Sequence, residues 1–444
     1  MRGGRTLILL VLVLIPVAYF ASKEYRNPTP AGDTKKLDKV FTVEADKIEE
    51  VTIKSDSGER TTLKKSGSDW QVVAPPDGAP AAADASEISG ITSNLASMEL
   101  QRVIEENAQD VKDYGLAQPR VEVTFKAGGQ PQTLQIGAKT PTGSDLYARV
   151  AGQSKVFLIP SYLESTFNRK TFDLREKAAL KIDDSKVDSV EIVADGRTLK
   201  FAKVNDAWQV TSPPEPRSDA TAISGLVSRL SGAQMKSMPA AKDLKEFGLD
   251  KPVITVRIGT GSSQATLLIG SKSGDTDVYA KDASRPLVFT LESSLVDELK
   301  KGPAEYRQKD LFDARAFNTT RIELVKGGDT FVFEKKTEKD KDGKDVEKWR
   351  EMSPAQKDAE AEKIASLLST VTGARATSFV DKPAGKPEVA IALTYDGSKE
   401  DRVTFLSAGA DAYATRGGVS GAAKVDKTLL DDILKAVDAM LKAE

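Results

Sequence analysis

Self-similarity at a fixed period limits how this chain can fold more than any other property of its sequence. Tryptophan occurs three times, always in the same setting: Asp69-Trp70-Gln71-Val72, Ala207-Trp208-Gln209-Val210 and Lys348-Trp349-Arg350-Glu351. The indoles are 138 and 141 residues apart, and proline follows each, at Pro75-Pro76, Pro213-Pro214 and Pro354. An alternating apolar segment precedes each one: Ile48, Val51 and Ile53; Val187, Val190 and Ile192; Ile322 and Leu324. Such alternation predicts a strand with one buried face. Behind each indole runs a stripe in steps of three and four: Ile88, Ile91 and Leu95; Ile223, Leu226 and Leu230; Ile364, Leu367 and Val371. Those steps put the side chains on one helical face, read here as core-facing. The triplets are offset by 135 and then 141 residues without internal change, as expected of diverged copies of one module. Asp84, Asp219 and Glu360 stand just upstream, where an acidic group opposes the positive end of the helix dipole and Asp can cap the first turn.

The second half of each module opens on a tight turn, Tyr114-Gly115-Leu116-Ala117-Gln118-Pro119 in the first copy and Phe247-Gly248-Leu249-Asp250-Lys251-Pro252 in the second. Gly115 and Gly248 can take positive φ there, and Pro119 and Pro252 hand the chain to a strand. Strands follow at Val121, Val123 and Phe125, then Leu134, Ile136 and Gly137; their counterparts are Ile254, Val256 and Ile258, then Leu267, Ile269 and Gly270. Tyr147-Ala148-Arg149 and Tyr279-Ala280-Lys281 mark a later strand. Short helices close the modules at Leu163 and Phe167, at Leu295 and Leu299, and at Leu429 and Ile433. The third copy keeps the strands at Val389, Ile391 and Leu393 and at Tyr413-Ala414-Thr415, but it lacks the Gly-Leu turn. A charged insertion, Lys339-Asp340-Lys341-Asp342-Gly343-Lys344-Asp345, displaces its tryptophan. The expected fold is α+β: three tandem diverged mixed α/β repeats, antiparallel strands plus helices, over residues 46–180, 181–313 and 314–444.

Ahead of the repeats, Arg2 and Arg5 precede an unbroken apolar run from Leu7 to Ala21, followed by Ser22, Lys23, Glu24 and Arg26. Its 15 residues cover roughly 22 Å against a hydrocarbon core of about 30 Å, so Thr6, Ser22 and snorkelling Arg5 and Lys23 are needed to complete a span. A cleaved signal requires small residues one and three positions before the cut. Cutting after Ala21 places Tyr19 upstream, and cutting after Phe20 places an aromatic at the bond, so an uncut anchor is expected over a removed signal. The reading is a cytoplasmic N-terminus at 1–6, a transmembrane signal anchor at 7–22 and a linker at 23–45, oriented by the positive-inside tendency.

Composition then excludes several chemistries. Without cysteine there is no thiol nucleophile or disulfide framework, and without histidine the commonest general base and transition-metal ligand are both gone. Lys plus Arg, 64, nearly cancels Asp plus Glu, 66, so no overall field draws the chain to nucleic acid. Gly418-Val419-Ser420-Gly421 is a near miss to a nucleophile elbow with no histidine partner, and no Ser-x-x-Lys is present for a dyad. Asp340-x-Asp342-Gly343 has its glycine too early for a calcium loop and reads as a hairpin turn. Gly128-Gly129, Gly259-x-Gly261 and Gly417-Gly418 lie between strands and open no helix that could hold phosphate. No catalytic residue, cofactor or metal is expected, and the chain is read as non-enzymatic. The residues singled out mark the repeat: Trp70, Trp208, Trp349, Gly115, Gly248, Pro119, Pro252, Gly137 and Gly270.

Laid out in this way, the chain resembles the bacterial domain-of-unknown-function family 4340. The resemblance rests on the apolar leader, the indoles Trp70 and Trp208 with their prolines, the turns at Gly115 and Gly248, and the Leu134…Ile136-Gly137 and Leu267…Ile269-Gly270 segments. It covers residues 40–310 and, more weakly, the rest. Members of that family look like companions of gliding-type ABC transporter permeases, which implies a single-pass protein of the inner membrane with its body periplasmic or otherwise extracytoplasmic. The resemblance thus implies an accessory or scaffold role with protein partners in an envelope complex. An envelope protein recognising a glycan or peptide is a second reading, and a carboxylate-dependent hydrolase a remote third.

Overall fold

The computed structural model describes residues 38–73, 81–215, 217–239, 243–339 and 341–442, and the chain divides into two compact units between Lys177 and Ala178. The anchor expected at 7–22 lies outside the described residues, and no described helix is long and apolar enough to cross a membrane.

The first unit holds one antiparallel sheet. Its strands are β1 (Glu50–Lys54), β2 (Arg60–Ser66), β3 (Asp69–Val73), β4 (Ala81–Ala82), β5 (Arg102–Glu105), β6 (Val121–Lys126), β7 (Gln132–Lys139), β8 (Asp145–Val150) and β9 (Val156–Pro160), in the order β4-β3-β2-β1-β6-β7-β8-β9-β5. Helices α1 (Ala85–Ser97), α2 (Leu163–Phe167) and α3 (Thr171–Leu174) complete it. Alternation decides the buried face. Val51 and Ile53 pair with Leu63 and Thr61 on one side and with Phe125 and Val123 on the other, and all but Thr61 join Ile88, Ile91 and Leu95 of α1 in a single core. Asp84 caps α1, accepting from the Ser86 and Glu87 amides at 3.0 and 3.1 Å.

The second unit holds two further antiparallel sheets. One consists of β10 (Ser189–Ala194), β11 (Arg197–Val204), β12 (Ala207–Ser212), β13 (Ile254–Thr260), β14 (Ser263–Ser273), β15 (Asp277–Asp282) and β16 (Phe289–Glu292), with α4 (Ala220–Ser231) and α5 (Ser294–Leu299). The other consists of β17 (Thr319–Lys326), β18 (Asp329–Lys339), β19 (Asp345–Ser353), β20 (Lys357–Asp358), β21 (Ser378–Val380), β22 (Lys386–Tyr395), β23 (Lys399–Ala408), β24 (Asp411–Arg416) and β25 (Ala422–Val425), with α6 (Ala361–Thr372) and α7 (Lys427–Leu441). Their orders are β12-β11-β10-β13-β14-β15-β16 and β20-β19-β18-β17-β22-β23-β24-β25-β21. The fold is α+β, built on three antiparallel sheets in which the same path recurs. In each, the strand that comes first in sequence lies in the interior, bonded to its own hairpin on one side and to the second half of the module on the other.

Several sequence expectations shift. Ordered structure begins before residue 46: Val40 donates to Met98 C=O at 2.9 Å, and Phe41, 3% exposed, sets its ring edge-on to Phe125 at 5.0 Å. The linker expected over 23–45 therefore gives way to the first module by Asp38. The closing helix of the third module is not short. It runs for 15 residues and buries Leu430, Ile433 and Val437, because its apolar stripe continues past the two positions singled out in the sequence.

Candidate functional site

The three tryptophans occupy one structural position. Trp70 pairs with Lys65, Trp208 with Lys203 and Trp349 with Lys335, each lysine on the neighbouring hairpin strand. The Lys203 and Lys335 ammonium groups lie over their indoles at 5.5 and 5.7 Å, within cation–π range. The lysine and the tryptophan are five positions apart in the first two pairs and 14 in the third. The charged insertion is thus a lengthening of the β18–β19 hairpin that leaves the indole in register. At the next inward position Val72 and Val210 are replaced by Glu351, 8% exposed, which lies 3.3 Å from Lys357.

The turns at Gly115 and Gly248 are backbone contacts and not ligand loops. Both glycines are left-handed, at φ +69 and +67. A Cβ on Gly137 would sit 2.1 Å from Tyr114 O, and one on Gly270 2.1 Å from Phe247 O. The turn lies directly on a bulged strand, with Ala138 N–H donating to Tyr114 C=O at 2.9 Å and register shifts at Ile136/Lys139 and Ile269/Lys272. Tilted ring pairs lie at each contact, Tyr114 with Tyr147 at 4.9 Å and Phe247 with Tyr279 at 4.8 Å between centroids. The Tyr114 hydroxyl donates to Glu105, which pushes it up to about 12. Pro119 and Pro252 stand just before β6 and β13, as their restricted geometry favours. In the third module the same place is filled by a longer β22, whose Lys386 and Pro387 pair with Ser407 and Leu406.

Within the second unit, a cleft between its two sheets gathers Arg217, Arg307, Arg416 and Phe379 around a cavity of about 30 Å³. Arg307 lies over the Phe379 ring at 4.4 Å and donates to Ser420 C=O at 3.1 Å. Its Nε lies 3.1 Å from Glu215 Oε1, off the hydrogen-bond line. Arg217 donates to Asp310 C=O at 2.7 Å and pairs with Asp313. Arg416 donates to Leu311 C=O and to Asp313, each at 2.7 Å, and pairs with Asp401. Asp401, 1% exposed, also accepts from the amides of Asp313 and Ala314. Burial works against ionisation of Asp313, but the guanidinium groups of Arg217 and Arg416 outweigh it and hold the carboxyl below its usual range. Three cations therefore meet Glu215, Asp313 and Asp401, and the cavity admits little more than a water molecule or two. The arrangement is a clamp. It fastens the segment Asp310–Ala314 between the sheets and leaves no net charge for an anionic ligand.

Arg217, Arg307, Arg416, Asp313 and Asp401 were not foreseen. A local signal existed at one of them: Arg307-Gln308-Lys309 repeats Arg175-Glu176-Lys177, and both arginines make the same bridge, to Ser218 and to Ala83. Elsewhere the carboxylates are likewise neutralised on the open sheet faces. Glu50 lies between Lys64 and Lys126 at 3.2 and 3.3 Å, and Glu323 lies 3.1 Å from both Arg321 and Arg402. Among the described residues, every carboxyl whose pKa departs from its ordinary value is lowered.

A family model described as Domain of unknown function (DUF4340) matches residues 70–209 and 208–390, most of the 444-residue chain. The chain belongs to the DUF4340 family. No curated protein and no solved structure matches it. The DUF4340 matches start on Trp70 and Trp208, so the family frame opens on the indole strand, after β1 and β2 of the first sheet and after β10 and β11 of the second.

Proposed function

We propose that this DUF4340 protein is a membrane-anchored extracytoplasmic accessory or scaffold subunit of an envelope complex, associated with an ABC-type, gliding-like transport system. The observation that carries the reading is the clamp: in the cleft between the two sheets of the second unit, the convergent arginines and carboxylates face one another and fasten the sheets together. A protein organised in this way offers surface and rigidity to partners in preference to a reaction centre. The apolar leader at Leu7–Ala21 and the family resemblance support the compartment and the transporter association. A carboxylate-dependent hydrolase needs an acid held above its ordinary pKa. The lowered carboxyls lend that reading nothing.

Affinity capture of the full-length protein from gently solubilised membranes tests the proposal. A permease or its auxiliary subunit is expected in the eluate, and repeated capture without either overturns the assignment.

A further inference from the structure

In the first two modules the strand leading into the capped helix has a second neighbour on its outer edge. Glu176 N–H donates to Ala82 C=O at 3.0 Å and Asp84 N–H to Leu174 C=O at 2.9 Å. Gln308 N–H donates to Arg217 C=O and Asp219 N–H to Tyr306 C=O, each at 2.7 Å. The occupant is each time the module's own exit segment, a bulky apolar residue followed by arginine: Leu174-Arg175-Glu176-Lys177 and Tyr306-Arg307-Gln308-Lys309.

The third module repeats the inner side of this edge. Ala359 N–H donates to Trp349 C=O at 3.0 Å, as Ala83 does to Trp70 at 2.9 Å. On the outer side β20 ends its sheet, and among the described residues Ala359 has no bridge like those of Ala83 to Arg175 and Ser218 to Arg307. Asp358 and Glu360 are exposed there, whereas Asp84 and Asp219 are half-buried. The third module closes on helix α7 instead, whose Met440 and Leu441 pack against the core cluster that holds Phe333. Phe333 is the counterpart of Phe201, on which Tyr306 rests at 4.8 Å. A helix cannot supply the pairing, since its backbone groups bond within it. An unpaired edge is a template for an added strand.

We propose that the edge from Asp358 to Glu360 receives an extended segment of a partner protein, bearing a basic residue next to a bulky apolar one. The chain's own exit segments supply that pattern. The charge agrees at one position: Glu360 stands where Asp84 faces Lys177 at 3.6 Å. Asp358 and Glu360 pair within the chain with Arg350 at 3.4 Å and Lys363 at 2.5 Å, exposed pairs that a basic segment can exchange. The inference deepens the scaffold reading by locating a partner contact, and it rests on that reading for the existence of a partner.

The probe is a synthetic peptide of residues 303–309, added in excess to the full-length protein. The Glu360 amide is expected to exchange with solvent at least tenfold faster than those of Asp84 and Asp219, and to slow at least tenfold with peptide bound. Glu360 already holds φ −71, proline's own angle. Glu360→Pro therefore removes the outward donor while the inner bond of Ala359 stays, and it should weaken peptide binding at least tenfold at an unchanged melting temperature. Asp358→Lys, which reverses the charge, should weaken binding too. A peptide that leaves Glu360 exchange unaltered, or that binds Glu360→Pro as tightly as the parent, overturns the proposal. If the peptide binds as expected but membrane capture yields no permease, the edge stands and the scaffold reading falls.

Discussion

At the scale of single residues, glycines with the same absence of a side chain have opposite roles. Gly137 and Gly270 lie under a backbone carbonyl, and a methyl group there would have to displace main chain. Gly137→Ala or Gly270→Ala should cost about 3 kcal/mol by overpacking, read as a lower urea midpoint. Gly90 and Gly225 sit at matching helical positions with nothing near the place of a Cβ. Alanine at either should instead stabilise by about 0.5–1 kcal/mol through helix propensity. The sequence exposed the first pair because the turn and the strand glycine recur together at a fixed separation. It concealed the clamp, because Asp401 and Arg416 are brought together by the pairing of β23 with β24, Val403 opposite Arg416. Register between strands is a tertiary outcome and leaves no local spacing to read.

At the scale of elements, the repeat was legible wherever one apolar face had to be buried. The strands around Val51, Val190 and Ile322, and the helices behind them, form as their periodicity indicated. Length was less legible. Helix α7 is longer than the short helix expected at Leu429 and Ile433, and β22 and β23 lengthen where the Gly-Leu turn is missing. The segments joining modules also read as loops, since their residues alternate too briefly to signal a strand, yet Ala179, Leu180, Leu311 and Phe312 are at most 5% exposed. Cleavage is therefore not expected at the bonds of those four residues, while Lys181 and residues 183–185 beside them are exposed. Brief trypsin treatment should cut the exposed β18–β19 tip at Lys341 or Lys344 before Lys309 or Arg315, as mapped by mass spectrometry of the fragments.

At the scale of the molecule, the clamp makes the stability of the second unit depend on pH. The folded Asp313 carboxyl lies below its unfolded value, so its contribution is complete above the unfolded pKa and is lost as pH falls through the folded one. The urea midpoint of residues 178–442 should drop on acidification below about pH 4. Asp313→Asn should be less stable at neutral pH and show a shallower acid slope; an unchanged slope would count against the clamp. One feature of the sheets bears on how the chain can be divided. The first strand of each module in sequence is an interior strand of its sheet, while the family frame opens two strands later. A fragment made to that frame, 208–390, would keep β13 but forfeit β10 and display a long, apolar, unsatisfied ribbon to its neighbours. Such a fragment should sediment as aggregate on expression, and residues 178–442, cut where a sheet ends, should remain in the supernatant and melt in one step.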